Sequence, residues 1–330
     1  MKRILKKKLK TGFVTLGGPG LLQRIYREPK VFFWHGVENH ANPLIEAESI
    51  TADQFSAQLC FIERNYEVVS LDEFHIRYKN GLLKGREAVL TFDDGYENNL
   101  TVLAPIMKKM DLPFTVFIST AHITSQKLFP TSVIRLIIYG TKLEKVVVPA
   151  LNKSFSLENI AQRKSAVGVI ASVLKTKDIF FVNQVVEDVQ ESISRDELDM
   201  LTNKYQSLRP MTWGQVRELS NQGATIGSHC IEHICCHRRQ EEREVKSQIF
   251  KSKQLIEEKL GKPCDYFAFP NGDFSDYSVK CVKDAGYKMG FITKNLKIDL
   301  AKDQDYVMPR LSAPFDKDTF QIVASLPVRK

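Results

Sequence analysis

Short apolar runs and longer stretches of helical periodicity take turns along this chain. The runs "KVFFWHGVE", "YEVVSL", "EAVLTF", "PFTVFIST", "ATIGSH", "DYFAFP" and "YKMGFIT" are rich in β-branched and aromatic residues, and each predicts a buried strand. Between them lie amphipathic segments. "TADQFSAQLCFIERN" carries Thr51 as a helix cap, "ENNLTVLAPIMKKM" follows Gly95, and "TWGQVRELSNQG" is closed by Gly223. The charged "RRQEEREVKSQIFKSKQLIEEKLG" is a long helix stopped by Gly261, and "DYSVKCVKDAG" a shorter one. From about Ser125 to Leu208 the alternation gives way to helical patterns alone, including "RKSAVGVIASVLKT" and "SRDELDMLTNKY". Strand and helix in turn, with one block of helices inserted, predict an α/β fold with a parallel sheet or barrel. There is no internal repeat and no low-complexity segment.

Composition adds little until charge is located. The 330 residues are 43% hydrophobic and 26% charged, an ordinary globular balance, with a net charge of +8. Six of the basic residues fall in "MKRILKKKLK", which has no acid, so the rest of the chain is only about +2 (8 − 6). A basic surface for nucleic acid is therefore not expected. The N-terminal run reads either as a solvated tail or as an interfacial helix on anionic lipid, with Ile4, Leu5 and Leu9 on one face. Gly17, Gly18, Pro19 and Gly20 break the stretch that follows, which makes a poor signal peptide. No run reaches the roughly 20 apolar residues of a membrane span. Cysteines 60, 230, 235, 236, 264 and 281 show no disulfide framework, which fits reduced thiols in a cytosol.

Chemistry concentrates at two predicted strand ends. "EAVLTF" runs directly into Asp93, Asp94 and Gly95. Neighbouring side chains of a regular strand face opposite ways, so two carboxylates can share one pocket only where the strand stops. Gly95 permits the sharp departure, and the C-terminal ends of barrel strands are where ligands bind. Adjacent carboxylates are tolerable there if a cation neutralises one. "ATIGSH" ends in the same manner, with His229 and His233 four apart. One Asp and two His would leave coordination positions for water, as a catalytic zinc-type site requires, and the other Asp would be free to act as a base. Each motif alone has an ordinary explanation, a turn for the first and a surface helix pair for the second. A structural zinc knot from Cys230, Cys235, Cys236 and His237 is the rival, but it lacks a C-x-x-C pair and leaves the Asp pair unexplained.

"TFDDGY" with "SHCIEH" resembles the first two motifs of the polysaccharide deacetylase family. "FAFPNGDFS" is similar to its third motif in a Pro-Asn-Gly form, "MTWGQVREL" with "GATIGSH" to the usual approach to the histidines, and "VFFWHGV" to a first-strand motif. The likeness covers about residues 31–124 and 209–315. It implies a distorted (β/α) barrel of the seven-stranded, TIM-like type over residues 31–330, with residues 1–30 as a basic N-terminal segment and a helical insertion at about 125–208. It further implies that Asp94, His229 and His233 bind a divalent metal, commonly zinc (Zn2+), and that Asp93 is the general base. The backbone N–H of Tyr96 would hold the oxyanion, with Pro270 and Asn271 of the third motif beside the substrate.

The chain departs from the family pattern in two places. No histidine follows His237, so the acid that protonates the leaving amine must come from elsewhere; His35, at the end of the first strand, is the candidate. Ala268 stands where members often carry a base-orienting arginine, and Arg310 in "VMPRLSA" is the candidate substitute. Tyr96, Trp213 and Phe269 are expected near the rim, where they could stack on sugar faces, although Trp213 also suits a core wall. The function so implied is hydrolysis of an N-acetyl group on an amino sugar, in a glycan, glycolipid or saccharide precursor of cell-envelope polysaccharide, at the cytoplasmic side and peripheral to the inner membrane face. The alternatives are a non-catalytic carbohydrate-binding relative and a metal-dependent phosphoryl-transfer enzyme.

Overall fold

Seven parallel staves form the centre of the computed structural model, which describes residues 2–294, 296–298 and 304–327. They are β1 (Lys30–Trp34), β2 (Glu87–Phe92), β3 (Thr115–Ile118), β4 (Thr225–Ser228), β5 (Tyr266–Ala268), β6 (Met289–Ile292) and β7. The last is split by Arg310 into Met308–Pro309, which pairs with β6, and Leu311–Ser312, which pairs with β1. This division of pairing joins the two edges of the sheet and makes a distorted barrel. The seven-stranded (β/α) architecture implied by the sequence is therefore present.

Alternation along each stave is visible in the two faces it covers. Val31, Val89, Phe117, Ala268, Phe291 and Met308 fill the barrel interior as one buried cluster. Phe32, Trp34, Leu90, Phe92, Val116 and Ile118 belong to the larger cluster shared with the surrounding helices. Both faces are buried, which is why the strands read as continuous apolar runs. Each fully buried Phe contributes roughly 1.5–3 kcal/mol relative to exposure.

Cap chemistry sets several boundaries where the sequence placed them. Thr51 and Gln54 form a reciprocal capping box at helix Ala52–Asn65, as do Thr212 and Gln215 at helix Trp213–Asn221. Gly261 ends helix Glu242–Leu260 in a left-handed conformation (φ 64°).

Three elements differ from expectation. "YEVVSL" yields only Glu67–Val68, because Ser70 turns the chain and caps helix Leu71–Lys79. The segment after Gly95 starts as a wide π turn (Asn99–Leu103) before helix Ala104–Lys109, where Pro105 has no N–H for a regular α turn. The insertion is not purely helical: Lys145–Val148 and Lys153–Ser156 make an antiparallel hairpin among helices Pro130–Gly140, Ile160–Leu174, Ile179–Glu191 and Arg195–Lys204. It shares the main core, since Val133, Ile134, Ile137 and Ile170 belong to the same cluster as Phe92 and Ile118.

The basic start forms helix Lys2–Thr15, followed after Gly17 (φ 78°) by helix Gly18–Ile25. The Phe13 ring occupies the space a Cβ at Gly18 would need, which folds the two helices together. Lys10 bonds Asp316 and Thr319, and Thr11 bonds Asp318, tying the pair to helix Lys317–Ser325. The expected lipid-facing stripe of Ile4 and Leu5 lies outside the described side chains, whereas Leu9 is exposed. Among the described residues no helix is long and apolar enough to cross a membrane.

Candidate active site and metal centre

The C-terminal ends of β1, β2, β4 and β5 converge on one buried cluster of charged and imidazole groups. Asp93 follows Thr91 by two, so it continues the inward-facing row of β2. Asp94 would face the opposite way in a continuing strand. Instead its own backbone is left-handed (φ 74°), as is that of Gly95 (φ 79°), and the tight turn is closed by Gly95 N–H donating to the Asp93 carbonyl (3.0 Å). A left-handed aspartate is uncommon, and here it brings both carboxylates to one site. Gly95 is needed twice over, because a Cβ there would sit 2.7 Å from Ile118 Cγ2.

The histidines are brought in by a loop rather than a helix turn. After β4 the chain is irregular, with Cys230 (φ 65°) and His233 (φ 56°) both left-handed. His229 Nε2 lies 3.8 Å and His233 Nε2 3.4 Å from Asp94 Oδ1, and one donor atom from each of the three residues falls within 4.8 Å of the others. The Ala268 carbonyl at the end of β5 accepts from His229 Nδ1 (2.7 Å), which leaves the Nε2 lone pair facing Asp94. Asp94 Oδ1 is buried without a hydrogen-bond partner. Burial holds His229 near about 4 and His233 near about 3, so both rings are neutral and able to act as ligands. Burial also raises the Asp94 carboxyl, with His35 and His229 acting against it. This donor set suits a divalent ion of the zinc class with open positions. Among the described residues no cysteine joins such a group; Cys230 and Cys236 instead meet each other as buried thiols (3.7 Å).

Arg310 reaches Asp93, the base it was nominated to orient. Within β7 it turns into the barrel and grips Asp93 with two parallel bonds, Nη1 to Oδ1 (2.7 Å) and Nη2 to Oδ2 (2.6 Å). Its guanidinium sits over the Phe33 and Phe117 rings (4.8 and 5.3 Å). Burial pushes the Asp93 carboxyl up, but the combined pull of Arg310, His229 and His35 prevails and holds it at about 2.

His35 stands at the rim, with Nδ1 3.9 Å from Glu48 Oε2. Burial lowers its basicity, but the negative charge of Asp94, Glu48 and Asp93 raises it overall. The Tyr96 N–H makes no hydrogen bond to any described residue, while its phenol meets Ser132 (3.4 Å) and its ring packs on Phe129. Tyr96 and Phe269 are buried in the wall, which corrects the expectation that their rings stack on a sugar. Trp213 is half-buried and donates to Thr124 (3.0 Å). Pro270 is buried in a turn where Asn271 (φ 57°) bonds Asp273 (3.0 Å), so the third motif shapes the wall beside His229.

Two further residues had no local sequence signal. Glu48 is the charge partner of His35, and Gln248 of helix Glu242–Leu260 accepts from the N–H groups of Ile231 and Glu232 (2.9 and 2.8 Å) through one amide oxygen. That pair of bonds fixes the loop carrying both histidines.

Residues 81–290 match the family described as polysaccharide deacetylase. No curated protein matches the chain. Among solved structures, a Streptococcus pyogenes deacetylase, PplD, in complex with acetate is 16% identical, with 86% of this chain and 92% of that one covered at a TM-score of 0.56. IcaB from Ammonifex degensii is also 16% identical, with 91% and 97% covered at 0.55. A polysaccharide deacetylase from Bacillus cereus is 13% identical, with 90% and 68% covered at 0.53. At these identities the likeness establishes the fold.

Proposed function

The chain belongs to the polysaccharide deacetylase family, and from that premise we propose that it removes N-acetyl groups from an amino sugar with the help of a divalent metal ion, Zn2+. The observation that carries this reading is the buried, unpartnered Asp94 Oδ1 facing two imidazole nitrogens, beside a second carboxylate held by Arg310. An ion held by Asp94, His229 and His233 would polarise the acetamide carbonyl and acidify its water.

The remaining steps fall to the chain's own groups. Asp93 takes the proton of the attacking water. Because Arg310 keeps Asp93 weakly basic, the base can act only on a water already made acidic, which ties its role to the neighbouring cation site. The free Tyr96 N–H donates to the oxyanion that develops on the acetyl group. His35, whose protonated form the surrounding carboxylates favour against its burial, delivers a proton to the departing amine. A bound cation would cancel part of the Asp94 influence, leaving Glu48 as the lasting support of that proton. Trp213, Pro270 and Asn271 border the substrate.

The substrate class is an N-acetylated saccharide of envelope polysaccharide assembly. The insertion walls the site where that substrate would enter: Phe129 packs edge-on against His233 (5.5 Å) and Ser132 meets Tyr96. The test is acetate release from N-acetylglucosamine oligomers before and after chelation, with phosphate release from sugar phosphates as the comparison. Acetate release that chelator abolishes and zinc restores is expected. Chelator-insensitive release, or phosphate release alone, would overturn the proposal.

A further inference from the structure

A cleft of about 590 Å³ opens at the other end of the barrel, lined by Leu21, Gln23, Arg24, Arg27, Arg64 and Arg86 among others, with no acid in its wall. Arg86 immediately precedes the first residue of β2, whereas Asp93 follows the last. Six residues of strand separate the two by about 20 Å, so this cleft is no part of the metal centre. Among the described residues, none of the four arginines takes part in an ion pair. Gln23 is only 5% exposed, and its amide meets the Tyr66 hydroxyl (3.0 Å) at the floor of the cleft. Four guanidiniums outside any ion pair among the described residues, in a cleft with no acid in its wall, make a site for a phosphate-type anion, since fork-shaped donors match phosphate oxygens.

The rim decides where that anion resides. Leu16, Leu21 and Ile25 are 89%, 60% and 61% exposed, and Leu21 and Ile25 are one helical turn apart. A small soluble phosphate has no use for such a border, whereas a bilayer offers acyl chains beneath its headgroups. Lys10 is bonded to Asp316, but the other five Lys and Arg of residues 1–10 belong to the same N-terminal unit and add to its positive charge. We propose that the N-terminal helices and the Arg24–Arg27–Arg64–Arg86 cleft together form a docking surface for anionic phospholipid, with a headgroup phosphate in the cleft and Leu16, Leu21 and Ile25 in the acyl boundary. The catalytic end of the barrel then faces the water.

The test uses the full chain and sedimentation with vesicles of phosphatidylcholine alone or with about 30% phosphatidylglycerol. Arg64 and Arg86 lie on the barrel rather than on the lysine-rich helix, so the variant Arg64→Ala/Arg86→Ala separates the cleft from general attraction. Binding to the anionic vesicles only is expected, weakened about twenty-fivefold in the double variant, at about fivefold for each basic residue. An unaltered melting temperature certifies the fold; if it drops, Arg64→Ala alone, at an exposed position, carries the test with its own fivefold share. Vesicle binding unchanged by the arginine variants would overturn the proposal. So would tight binding of inorganic phosphate or pyrophosphate without vesicle binding.

Discussion

Asp93 and Asp94 are neighbours with opposite electrostatic fates. Asp93 is gripped by Arg310 and held near about 2, while Asp94 is raised by burial and lacks a partner on one oxygen. That difference came from a strand end and one left-handed residue, and the strand end was legible in the sequence. The matching histidines were legible as well, because they follow a second strand end. The rest of the site depends on contacts between distant segments. Arg310 could be nominated but not given its bidentate grip, and Glu48 offered no signal at all. Replacing Arg310 with Met leaves a buried carboxylate alone, which costs about 3–5 kcal/mol of stability in thermal unfolding. It also lets the Asp93 carboxyl rise, so the acid limb of kcat/KM moves to higher pH; an unmoved limb would separate Arg310 from the base. His35→Asn should cut turnover roughly a hundredfold with metal content intact, as loss of a general acid does. Removing negative charge with Glu48→Gln lowers the basicity of His35, so the basic limb of the rate profile moves to lower pH.

The element that most directly presents the histidines is an irregular loop, and it is held from outside. The spacing of His229 and His233 suggests a helix turn, but the structure uses two left-handed residues and the Gln248 amide. Such a loop has no periodicity, so sequence can supply its ligands but not its path. Stave β7 shows only faintly in the sequence for a related reason: it is two residues either side of Arg310, with Pro309 inside, too short to show alternation. Longer staves and capped helices were readable because propensity, pattern and cap agree there. Gln248→Leu removes both loop bonds while keeping a side chain of similar size. Metal affinity should fall 10- to 100-fold, the range seen when groups that orient ligands are lost. Titration with zinc checks this, and unchanged affinity would mean the loop holds itself.

At the scale of the whole molecule, the buried imidazoles make metal-free stability depend on pH. His229 and His233 sit near about 4 and about 3 when folded, against roughly 6.5 when exposed. A depressed folded value means their contribution is complete above pH 6.5 and lost as pH falls toward 4 and below, on the order of 3 kcal/mol per ring. The Asp93 contribution disappears lower, as pH falls from about 4 toward 2, and the raised Asp94 works in the opposite sense, relieving strain on protonation. Melting of the chelated chain should therefore fall between pH 7 and 4, and the slope should flatten in His229→Ala. The insertion belongs to this scale too, because its core is continuous with the barrel's and it cannot be treated as a removable lid. The most direct test of the account is calorimetric titration of the chelated chain with zinc. One ion per chain is predicted for the native protein and for Asp93→Asn, with binding lost in Asp94→Asn and His229→Ala. Equal binding in all four proteins would contradict it.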